Sequence, residues 1–218
     1  MTQHDLARAI GVPQPSIARI ERGAVMPRTA TLVTILDATG HRLAADPVGP
    51  PVDRQAVRRQ LARPVSMRTR LALGKRATDP VTNPGRILRR LRRLGVPFVL
   101  IGDLAEAAHG APAKVGRHIE VCVSTADVAR ERLGRALAEL EAESHQARLR
   151  VTTTTAAGDG YDALAANAVS LHVEPGILVK VAAVEDLLRI RRAGSDAQDR
   201  EAASVLAAII EESADTER

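Results

Sequence analysis

Between Gln14 and Arg22 a short stretch has the residue types and spacing to recognise a polyanion. Ile17 and Ile20 fall on one side at helical spacing, which leaves Gln14, Pro15, Ser16, Ala18, Arg19 and Arg22 facing outward. That outward set is short, polar and basic. Such a set suits a reader of the major groove of duplex DNA, so the chemistry on offer is recognition.

The elements that must position these residues follow from their neighbours. Thr2 can cap a helix whose Leu6, Ala7 and Ile10 share one face, and Gly11 ends it. Val12 and Pro13 carry the chain into a second helix from about Gln14 to Arg22, and the two short helices outline a helix-turn-helix. Thr29 and Thr31 open a third helix that runs to about Thr39 and stops at Gly40.

Thr2-Gln3, Leu6-Ala7, Gly11-Val12, Gln14, Ile17, Ile20-Glu21 and Gly23 recur at the spacing of the Cro/repressor-like (XRE) helix-turn-helix family. The resemblance continues through Pro27, Thr29, Thr31-Leu32, Ile35, Leu36 and Ala38 to Gly40. It implies that Gln3 and Gln14 sit at helix N-termini near phosphates and that Ser16 and Arg19 face base edges. The family places a further helix before Thr2-Gln3. The expectation is that a start upstream of Met1, or some later segment, completes the bundle.

Charge is unevenly spread. The 218 residues carry a net charge of +5 with a pI near 10.3, yet residues 53–94 hold thirteen Arg and Lys against Asp53 and Asp79 alone. The rest of the chain is therefore net acidic. Such a basic segment can neutralise phosphates without reading bases, and Arg89, Arg90, Arg92 and Arg93 are its candidate phosphate contacts. Phe98 and Tyr161 are the only large aromatic side chains, too few for the stacking platforms that hold single strands, so duplex DNA is the expected partner. Cys122 is alone, and no Cys/His cluster suggests zinc. With no apolar run of membrane-spanning length and no signal peptide, the expectation is a soluble cytoplasmic protein that does not engage membranes.

Asp46 to Val52 is a proline-glycine connector, and Asp79 to Pro84 is a second break. Residues 53–61 and 66–77 read as basic helices. Beyond residue 84 helices and strands alternate: helix 85–94, strand 97–102, helix 103–109, strand 118–124, helix 126–142, strand 147–154, helix 160–167, strands 169–173 and 177–182, helices 183–193 and 197–212. The fold class expected is α+β, with an all-α helix-turn-helix bundle over 1–45, a basic helical linker over 46–84 and a mixed-sheet domain over 85–214. The acidic tail after Ile210 is expected to fray. Gly158-Asp159-Gly160 reads as a turn, since no Lys follows at P-loop spacing, and Glu174-Pro175-Gly176 as a hairpin turn. His109, one turn after Glu106 and beside Gly110, reads as a carbonyl-capping or packing residue.

The stretch from Phe98 through Gly102-Asp103 to His109 and Pro112 resembles the opening of nucleotidyltransferase-like domains of the polymerase-β superfamily, including abortive-infection toxins. Further resemblance covers Arg130–Leu149, Gly160–Ala168, Val179–Arg192 and Asp199. In that family a Gly-Gly or Gly-Ser turn precedes a helix N-terminus that receives triphosphate, and an Asp-x-Asp strand holds two magnesium ions. Here Asp103 replaces the second small residue, and His118-Ile119-Glu120 replaces the acidic pair. Arg148 and Val151–Thr155 stand where a third acid is expected, and Asp196 and Gln198 precede Asp199 in place of bases. The resemblance thus implies a domain without a catalytic residue, metal or other cofactor. A DNA-binding transcriptional regulator is the expected function, with the second domain used for homodimerisation, effector sensing or partner binding. The alternatives are an active nucleotidyltransferase of a toxin–antitoxin or phage-defence system and a scaffold that binds no DNA.

Overall fold

The computed structural model describes residues 2–41, 51–78, 83–112, 115–116, 118–143 and 149–216. The connector residues 46–50, Asp79 to Thr82 of the second break, and Arg148 lie outside the described residues. The chain divides into two compact units, 1–48 and 49–218.

Among its described residues the first unit has three helices: α1 (Gln3–Ile10), α2 (Gln14–Glu21) and α3 (Thr29–Ala38). Thr2 begins α1 with a reciprocal cap, its hydroxyl accepting the Asp5 N–H at 3.2 Å while the Asp5 carboxylate accepts the Thr2 N–H at 2.9 Å. Gly11, at φ +67°, then turns the chain in a conformation that disfavours other residues. Leu6, Ala7 and Ile17 are buried, with Ile10, Val12 and Ile35 packed around them. Ile20, expected beside Ile17, is only half-buried and outside that cluster.

The second unit is a five-stranded mixed sheet with helices packed on it, which makes the whole chain α+β. It opens with α4 (Arg54–Leu61), α5 (Val65–Leu73), a 3₁₀ turn (Gly74–Ala77) and α6 (Pro84–Arg93). There follow β1 (Phe98–Ile101), α7 (Gly102–His109), β2 (Ile119–Val123), α8 (Asp127–Glu143) and β3 (Leu149–Thr152). The chain then runs through α9 (Tyr161–Asn167), β4 (Val169–Glu174), β5 (Ile177–Val181), α10 (Val184–Ala193) and α11 (Ala197–Thr216). Strand order is β3-β2-β1-β5-β4. β1 runs antiparallel to β2 and parallel to β5, and β2 runs parallel to β3, so α8 serves as the crossover. All four residues of β1 are buried, as its unbroken apolar run requires of a central strand.

Two expectations change here. The stretch read as a basic linker belongs to the second unit: Val57 and Leu73 lie in the same core as β1, and the buried Thr69 hydroxyl donates to the Val173 carbonyl. Arg68 donates to the carbonyls of Leu61 (2.7 Å), Arg63 (2.8 Å) and Ala108 (3.0 Å). The acidic tail is helical to Thr216 because Arg54 and Arg58 of α4 hold Glu211 and Glu212, each at 2.5 Å in its shortest pair.

Candidate functional site

In the first unit Gln3 and Gln14 are the first residues of α1 and α2. The Gln14 amide donates to Gln3 Oε1 at 2.8 Å, and the Gln3 amide donates to Glu21 Oε2 at 2.5 Å. Gln14 and Glu21 are seven residues apart, two turns along one face of α2, so Gln3 bridges both ends of that helix. Glu21 is thus a positioning residue absent from the outward set, and its i, i+7 spacing from Gln14 is the signal that marks it. Pro15 and Arg19 are exposed and Ser16 is half-buried. Arg22 is exposed too, but its Nε donates to the Ala18 carbonyl at 3.0 Å and caps its own helix. Arg19 has no side-chain hydrogen bond or ion pair among the described residues, which leaves its guanidinium available.

In the second unit the sheet brings the second set of sequence candidates together at the C-terminal end of β1. Gly102 opens α7 at φ +68°, and a side-chain carbon there would come 2.6 Å from Glu120 Oε2. Antiparallel register sets Glu120 opposite Ile101, and parallel register sets it opposite Arg150, whose Nη1 reaches Glu120 Oε1 at 2.9 Å. Asp103 accepts the Gly116 N–H at 2.8 Å. Its other oxygen meets Arg191 Nη2 at 2.8 Å, while Arg191 Nε meets Glu106 at 2.6 Å and Nη1 meets Asp199 at 3.0 Å. One guanidinium from α10 therefore joins carboxylates of α7 and α11. His118 is exposed and takes no part in these bonds.

Burial pushes the Glu106 carboxyl up, and the Arg191 charge beside it only partly offsets that. Burial also opposes the charge on Arg191, but Glu106, then Asp199 and Asp103, more than reverse it and hold the guanidinium ionised. His109 is pushed down by burial, and its Nε2 lies 2.8 Å from the Ala182 carbonyl. A neutral imidazole donating to that carbonyl fits the structural role expected of it, although the carbonyl lies beyond β5 and not in its own helix.

The four candidate arginines of α6 separate. Ile87, Leu88 and Leu91 of this helix are buried, so Arg86, Arg89, Arg92 and Arg93 emerge outward. Arg90 turns towards α8, its side chain 13% exposed, and pairs with Glu139; Arg93 reaches the same carboxylate at 2.6 Å. Arg89 and Arg92 have no hydrogen bond or ion pair among the described residues. Arg90 and Arg93 bind this protein's own carboxylate because α6 packs against α8.

Two short helices joined at Gly11, the second with a polar outer face, have the outline of a helix-turn-helix. Residues 1–43 match the model of the helix-turn-helix family HTH_3. Among curated proteins nothing matches the chain. The match supports a DNA-binding regulator. Among the described residues no helix is long and apolar enough to cross a membrane.

Proposed function

We propose that this protein binds specific sequences of double-stranded DNA as a transcriptional regulator, and that its second unit is a nucleotidyltransferase-like domain that no longer transfers nucleotides. The helix-turn-helix match over residues 1–43, with Arg19 unengaged on the outer face of α2, carries the first half. Selection of duplexes from a random pool tests it: an enriched motif that Arg19→Ala abolishes is expected, and no enrichment would refute it.

The second half rests on how the carboxylates are spent. The antiparallel and parallel pairing around β2, and the glycine turn into α7, support the nucleotidyltransferase likeness. Two magnesium ions would need several carboxylate oxygens free to coordinate. Asp103, Glu106 and Asp199 are committed to Arg191, and Glu120 to Arg150, so these residues do not fit that metal pair. The domain then serves homodimerisation, sensing or partner binding in the cytoplasm. A labelled-transfer assay with the four ribonucleoside triphosphates and magnesium is expected to give no product. Transfer lost on Glu120→Gln would favour the toxin-like enzyme instead.

A further inference from the structure

A concave site lies at the other end of β1, near Phe98 and away from the Gly102 turn. Its volume is about 260 Å³, just under the roughly 300 Å³ at which pockets for drug-sized ligands begin. Val96, Pro97, Phe98, Leu178 and Val179 are its apolar lining. Four polar side chains border it: Arg92 from α6, Tyr161 from the start of α9, Ser170 from β4 and Lys180 from β5.

The register of the hairpin explains the gathering. Ser170 stands opposite Lys180, and β5 alternates buried Ile177, Val179 and Val181 with exposed Leu178 and Lys180. Arg92 follows Leu88 by four residues, which sets it at the margin of the buried face of α6, and it is exposed. None of the four polar side chains has a side-chain hydrogen bond or ion pair among the described residues. Arg90 and Arg93, on the same helix as Arg92, both pair with Glu139, and no carboxylate lines this site.

Two cations and two hydroxyls from four separate elements suit a group with several acceptor oxygens and more than one negative charge. A phosphate monoester has three such oxygens and a charge of about −1.5 to −2 near neutrality, whereas a carboxylate has two oxygens and a single charge. The apolar lining adds contact for a small organic body attached to the phosphate. We infer that this site binds a free phosphate monoester of mononucleotide size, through Arg92, Lys180 and the Tyr161 and Ser170 hydroxyls. This goes beyond the DNA-binding reading and does not depend on it, since the residues belong to the second unit.

Calorimetric titration of the full chain with AMP, adenosine and inorganic phosphate tests the inference. Saturable AMP binding is expected, with adenosine at least tenfold weaker and inorganic phosphate weaker than AMP. Arg92→Gln combined with Lys180→Gln should reduce AMP affinity at least tenfold. Tyr161→Phe, which keeps the ring and so guards against a folding defect, should reduce it severalfold. Absence of AMP binding, equal binding of adenosine, equal binding of inorganic phosphate, or AMP affinity unchanged in the double variant would each overturn the assignment.

Discussion

Arg191 shows at the residue scale how a single side chain can decide what a site is able to do. Three carboxylates close on it, and one of them, Glu106, is 4% exposed. Removing one partner of a buried ion pair costs about 3–5 kcal/mol, because the charges left behind are uncompensated. Arg191→Gln is therefore expected to lower unfolding free energy by about 3 kcal/mol at pH 7.5, measured by urea titration. Glu106 already holds its proton above the ordinary 4.5, so the folded state binds that proton more tightly than the unfolded chain. Its contribution is complete below 4.5 and declines as pH rises through the shifted value. Arg191 holds the Glu106 carboxyl down against burial, so in Arg191→Gln that carboxyl takes up its proton still more readily; the deficit should narrow at pH 5, and a deficit that widens there would refute this account. His109 has the opposite slope. Its imidazole is depressed below 6.5, so the unfolded chain takes up a proton that the folded one refuses, and stability is full above 6.5 and falls as pH drops below it. His109→Gln, which can still donate to the Ala182 carbonyl, should flatten the dependence of the urea midpoint on pH between 6.5 and 5.

Two helices carry the predictions at the element scale, α2 and α6. Arg19→Ala should remove about 1–3 kcal/mol of discrimination between a selected duplex and a scrambled one; equal losses on both would make Arg19 a phosphate contact only. On α6, Arg89→Gln should reduce the slope of log affinity against log salt by about one unit if this helix touches DNA. Arg90→Gln should leave the slope alone and lower the unfolding midpoint, since its partner is Glu139. The elements themselves were largely legible in the sequence. The helix read over 85–94 is Pro84–Arg93, the strand over 97–102 is Phe98–Ile101, and the hairpin turn at Glu174–Gly176 joins β4 to β5, because amphipathic period and turn residues are local signals. The role of α4 and α5 was hidden: their arginines dominate the pattern, while only Val57, Thr69 and Leu73 are fully buried. Arg191 was hidden for another reason. Its partners lie 88, 85 and 8 residues away, and no periodicity records a contact made by tertiary folding.

For the whole molecule, the two units differ in how much holds each together. The first buries Leu6, Ala7 and Ile17, at about 2 kcal/mol for each of the larger side chains, whereas the core of the second extends from Val57 to Ile209. Heating is therefore expected to give two transitions by calorimetry, with duplex binding lost at the lower one and the second unit's helix signal kept until the upper. A single transition at which both vanish would contradict it. Within the second unit, the pairing of Arg54 and Arg58 with Glu211 and Glu212 brings its first and last helices together. A unit whose ends meet can be reconnected end to end and opened elsewhere without stretching its chain. Its gene could thus be inserted whole into a surface loop of another protein, or rewired to start at the Gly158 turn, and still specify the same sheet.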